Sequence, residues 1–104
     1  MEIKWSRRAE ATLDWTENER FEAYYKEDEI LREFEIRLHH FRLEQGFWRS
    51  KNICWVNRGE QEIEQFLQAR NLTEYDLERV KAFALEFKAA VYKRMGGRDE
   101  IDRH

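Results

Sequence analysis

TENERFEAYYKEDEILREFEIRLHHFRLEQG, residues 16–46, is the stretch whose reading decides the fold. Thr16-Glu17-Asn18-Glu19 has the form of a capping box: the Thr16 hydroxyl can accept the Glu19 N–H, and the Glu19 carboxylate can reach back. Phe21, Tyr24, Leu31, Phe34, Leu38 and Phe41 then fall on one stripe at near-heptad spacing, interrupted at Glu27. Ile36, His40 and Leu43 run beside it. This pattern predicts a long helix over 16–45, with Gly46 at its C-cap. The acidic cluster around Glu27-Asp28 marks a kink or a break into two helices.

A second long helix is expected over 73–95. Leu77, Val80, Ala84, Phe87 and Val91 follow one another at steps of three and four, so they share one helix face. Phe83 and Leu85 widen that face. Thr73 is placed to cap the N-terminus, with Glu74 and Asp76 beside it. Lys93 and Arg94 suit the C-terminal end, and Gly96-Gly97 suits a left-handed cap. Between the two, Glu60–Arg70 presents Ile63, Phe66 and Leu67 as a shorter helix. Asn71-Leu72-Thr73 turns into the last one. At the other end of the chain, Met1–Trp5 alternates like a short extended arm. Ser6 caps a helix through Trp15, with Trp5, Ala9 and Leu13 on one side.

The expected fold class is therefore all-α: a small bundle of three to four helices, with long members at about 16–45 and 73–95. Residues 1–97 form a single helical domain, and 98–104 form a disordered C-terminal tail. The opening MEIKWSRRAEATL resembles the start of RelE/ParE-type toxins, in which a short strand leads into a helix. That resemblance covers only the opening segment, and the rest of the chain lacks the consecutive basic strands of that family's sheet.

Composition narrows the function. Charged residues make up 39% of the 104, yet the net charge is only −3, so both signs are interleaved over a solvated surface. A single cysteine, Cys54, excludes an internal disulfide and multi-cysteine zinc sites. There is neither a signal-like apolar segment nor a run long enough to span a membrane. A cytoplasmic protein without membrane partners is expected. Catalysis is not expected, and neither is a cofactor or metal. With four glycines the chain has no phosphate-cradling loop, and Ile53, Trp55 and Val56 around Cys54 suggest a buried, inert thiol. Glu35 with His39, and His40 with Glu44, have the spacing of two metal ligands on adjacent helical turns, but two ligands do not make a site. A helix–turn–helix reader over Glu62–Arg70 and Thr73 onward would present Glu74, Asp76 and Glu78 to phosphates, which repel them.

The candidate binding segment is 46–58, GFWRSKNICWVNRG with its closing Gly59. It holds no acidic residue, three basic ones and three aromatic rings. Phe47, Trp48, Arg49, Lys51, Trp55 and Arg58 are the candidate partner-binding residues. Trp and Arg are favoured anchors at protein interfaces. The expected function is that of a non-enzymatic interaction or regulatory protein. It would dock a helix face or this basic–aromatic segment onto a macromolecular partner, an unidentified protein first. The alternative is a nucleic-acid-associated accessory protein, with Arg49, Lys51 and Arg58 on phosphates and a neighbouring Trp stacked on a base. Homo-oligomerisation is a further expectation, because the apolar surface of 73–95 is broader than one stripe.

Overall fold

The computed structural model describes residues 1–5, 8–28, 30 and 33–95. The chain is not an all-α bundle. It is an antiparallel five-stranded meander followed by two helices. The strands are β1 (Lys4–Trp5), β2 (Ala9–Thr16), β3 (Glu19–Asp28), β4 (Glu33–Glu44) and β5 (Phe47–Trp55), in that spatial order. A short 3₁₀ turn, Val56–Arg58, leads to α1 (Glu60–Gln68) and α2 (Glu74–Arg94). The helices expected over Ser6–Trp15 and 16–45 are thus replaced by β2 and the β3–β4 hairpin. The expected tail 98–104 and the Gly96-Gly97 cap lie outside the described residues.

Alternation explains the strands. Ala9 and Ala11 of β2, Phe21, Ala23 and Tyr25 of β3, Ile36 and Leu38 of β4, and Cys54 of β5 are all buried. Cross-strand pairs Ala11↔Ala23, Ala23↔Leu38 and Leu38↔Cys54 place them on one side of the sheet. The two helices cover that side. Ile63 and Leu67 of α1 and Val80, Phe83, Ala84, Phe87 and Val91 of α2 complete the core. Ala9, Ala11 and Ala23 are small, which lets α2 sit close to β2 and β3. The apolar face of 73–95 packs on the sheet and α1, with Leu77 and Leu85 partly buried against the core.

The turn chemistry reuses the residues that looked like helix caps. The Thr16 hydroxyl accepts the Asn18 N–H at 3.2 Å, closing a side-chain turn between β2 and β3. Gln45 and Gly46 have φ of +53° and +83°, the paired positive values of a two-residue hairpin turn that joins Glu44 to Phe47. A Cβ at Gly46 meets nothing within 4 Å, so only backbone strain opposes one. Gly46→Ala is expected to cost about 1–2 kcal/mol, the left-handed penalty of an L-residue; equal urea midpoints for the two proteins would contradict the turn.

Further side chains fix the layers. Trp15 Nε1 donates to Asp76 Oδ2 at 3.2 Å, tying β2 to the start of α2. Asn57 stands in for a strand partner of β4: Ile36 N–H donates to its Oδ1, and its Nδ2 donates to the Phe34 carbonyl. Lys81 bridges Glu60 and Glu64 across the helix pair, and those carboxylates raise it to about 12. Thr73 caps α2 as its sequence predicts, its hydroxyl accepting the Asp76 N–H at 3.1 Å.

Candidate functional site

Segment 46–58 is the edge of the sheet. β5 pairs only with β4 among the described strands, so its outer side is open to a partner. Pleating divides the candidate residues between the two faces. Trp48 and Trp55 lie opposite Leu43 and Arg37, on the side away from the helices. Phe47 and Arg49 lie opposite Glu44 and Arg42, on the helix side but beyond the helices' cover, and Phe47 is 67% exposed. Lys51 is the extra residue of a bulge: Asn52 pairs with His40 and Ser50 with Phe41, which leaves it unpaired. Arg58 lies past the strand and returns to stack on Trp55 at 4.6 Å. The structure therefore keeps these residues on one edge and brings Arg58 onto Trp55, but it separates Arg49 from both tryptophans.

The side away from the helices carries more than sequence reasoning assigned to it. Arg20, Glu22 and Tyr24 of β3 face Phe41, His39 and Arg37 of β4, in that order. Arg20 donates through Nε to Glu22 at 2.7 Å and lies 4.2 Å from the Trp48 ring centre. Tyr24 donates its hydroxyl to the other Glu22 oxygen. Glu22 is consequently only 9% exposed on an otherwise uncovered face. Burial, then the Glu22 carboxylate, pushes the Tyr24 phenol well above its ordinary range. Arg37 donates to Glu35, as does Trp55 Nε1, and the Arg37 bond comes first in holding Glu35 below the usual carboxylate value. Aromatics and arginines at alternate positions were the available signal for this face.

The paired ligand spacings do not survive as metal sites. Glu35 and His39 share a strand face, but four residues of strand rise separate them by about 13 Å. The same holds for His40 and Glu44. No group of three potential ligands occurs among the described residues. His39 bonds Ser50 Oγ at 3.1 Å on the open face, while His40 is buried at 4% exposure on the helix side. Burial lowers both histidines from the ordinary 6.5. A depressed histidine binds fewer protons folded than unfolded. Its contribution is thus fully present above the unfolded value of 6.5 and is lost as pH falls from there through the lower folded value. The urea midpoint is expected to be lower at about pH 5.5 than at about pH 7.5; equal midpoints would contradict the buried neutral state.

Cys54 is buried, and desolvation pushes its thiol up to about 11. No helix among the described residues is long and apolar enough to cross a membrane. Against family models, curated proteins and solved structures alike, the chain has no match.

Proposed function

We propose that the chain is a non-enzymatic interaction module that docks its β5 edge on the acidic surface of a protein partner. The carrying observation is the composition of that edge. Three cations and three rings stand on an exposed strand and its exit, with no carboxylate in the segment. Lys51 is neutralised by Glu44 at 2.6 Å, whereas Arg49 and Arg58 make no ion pair among the described residues. An edge strand offers both faces to a partner that wraps it. The Lys51 bulge interrupts the ladder and its charge guards the edge, so side chains and not strand addition carry the contact.

A phosphate chain is the weaker occupant. Stacking and charge must act together on a single strand, and here Arg49 lies on the opposite face from Trp48 and Trp55. The open face also mixes Glu10, Asp14 and Glu35 with Arg37 and Lys26, which gives no continuous basic track. A non-enzymatic role is supported by Cys54, whose raised value leaves little thiolate near neutral pH. A cytoplasmic setting belongs to the proposal, because one buried thiol suits a reducing compartment.

The test is affinity purification from the native host after nuclease treatment. Wild type is compared with Arg49→Glu/Arg58→Glu and with Glu78→Lys, a charge reversal on the exposed side of α2. A protein retained by wild type and Glu78→Lys is expected to fall at least about tenfold with the double reversal, since charge complementarity selects partners. Retention that ignores the double reversal would overturn the docking edge.

A further inference from the structure

A second feature lies on the helix side of the sheet, where the β4–β5 end meets the α1–α2 turn. A cleft of about 330 Å³ opens there, lined by Glu19, His40, Arg42, Lys51, Asn52 and the turn residues Ala69, Arg70 and Asn71. Arg42, Lys51 and Arg70 face one lining carboxylate, and Lys51 is already paired with Glu44 outside the cleft's lining. The lining carboxylate is engaged too: Glu19 Oε1 lies 3.2 Å from His40 Nε2 and 3.4 Å from Arg42. Arg70 is anchored by stacking on Phe66 at 4.4 Å and makes no ion pair among the described residues.

Two buried polar atoms in the cleft's lining have no hydrogen-bond partner among the described residues: His40 Nδ1 and Arg70 Nε. His40 is 4% exposed, so its open nitrogen is shielded from bulk water. With Nε2–H directed at Glu19, the His40 Nδ1 is an acceptor that an anion does not satisfy, so the unpaired Arg70 Nε–H is the group that calls for an anionic occupant. Asn71, at φ +56°, holds the turn that presents Arg70. Guanidinium forks match tetrahedral oxyanions, and Asn52 and Asn71 add neutral donors.

We propose that this cleft binds the phosphate group of a small molecule, with Arg70 and Arg42 as its principal ligands. The volume exceeds that of a bare phosphate ion and lies at the lower end of small-molecule pockets. A phosphomonoester and free inorganic phosphate share the required chemistry.

The probes are inorganic phosphate and ribose 5-phosphate, titrated at constant ionic strength while NMR follows the Arg70 Nε–H signal. A saturable shift is expected, and its half-saturation for each probe tells which source fits better. Arg70→Gln, followed through the Arg42 Nε–H signal, should weaken binding at least about tenfold, the size of a lost charge-assisted contact. Glu19→Gln, followed by the Arg70 signal, should tighten binding several-fold, because it removes the opposing carboxylate; it also tests the site if Arg70→Gln fails to fold. Phosphate stabilises many proteins by exclusion from their surface. A shift that does not saturate with either probe, or a thermal stabilisation of equal size in Arg70→Gln, would therefore overturn the site.

Discussion

Phe87→Ala is expected to destabilise the chain by about 3–5 kcal/mol, the range for aromatic truncation in a core. Phe87 is fully buried and is among the largest such side chains. It sits between Ala84 and Val91 on the face of α2 that covers the sheet. The cavity left behind has rigid walls, because the sheet cannot collapse toward the helix without breaking its own ladder. With an m-value of about 2 kcal/mol/M, the urea midpoint should fall by about 2 M. Such a loss is a large share of the ~5–15 kcal/mol that holds a domain folded. Tyr75→Ala supplies the contrast, since Tyr75 is 77% exposed at the start of the same helix. It should stay within about 0.5 kcal/mol of wild type. An unchanged midpoint for Phe87→Ala would remove α2 from the core.

Ala23→Asp separates the sheet from the helical reading. Ala23 is fully buried, paired with Ala11 on one side and Leu38 on the other. A carboxylate there would face α2 with no cation in place to meet it. An uncompensated buried charge costs about 3–5 kcal/mol, and the added volume costs about 1–3 kcal/mol more. In a helix over 16–45, Ala23 would lie off the stripe of Phe21 and Tyr24. The same substitution would then cost only about 0.7 kcal/mol in propensity. Circular dichroism with urea titration distinguishes a chain that no longer folds from one that barely notices.

The C-terminal half was legible because its signals agree. Thr73, the spacing from Leu77 to Val91, and Lys93-Arg94 all name the same helix, and α2 runs from Glu74 to Arg94. Glu60–Arg70 and the extended start at Met1–Trp5 were legible as α1 and β1. The N-terminal half misled for definite reasons. Residues 16–45 contain no Gly or Pro to mark the turns. A spacing of four is even, so Ala9 and Leu13 share a face in a strand as readily as in a helix. Of the six residues that lined up at helical spacing, Phe21, Phe34 and Leu38 face the helices. Tyr24 and Phe41 face away, and Leu31 lies outside the described residues. Aromatics on both sides of β3 and β4 masked the alternation. Gln45-Gly46 fitted a helix C-cap as well as a hairpin turn, since both need positive φ.

The candidate segment was legible as a composition but not as an arrangement. The run from Phe47 to Arg58 names the exposed edge, while the split between faces depends on the pairing register and on the bulge at Lys51. The cleft around Arg70 was not legible at all, because Glu19, His40, Lys51 and Arg70 come from four separate places in the sequence.

A titration of labelled single-stranded RNA and DNA at low salt decides most directly between a protein-docking edge and a nucleic-acid edge. Three phosphate contacts by Arg49, Lys51 and Arg58 would give a slope of log K against log salt near about −2, at about −0.7 per contact. With Arg49 on the opposite face of β5 from Trp48 and Trp55, only weak binding, or none, is expected. Removing Arg49 and Lys51 should then change nothing. Tight binding with that salt slope, flattened by more than about half when Arg49 and Lys51 are removed, and weakened by about 1–3 kcal/mol in Trp48→Ala, would contradict docking on a protein.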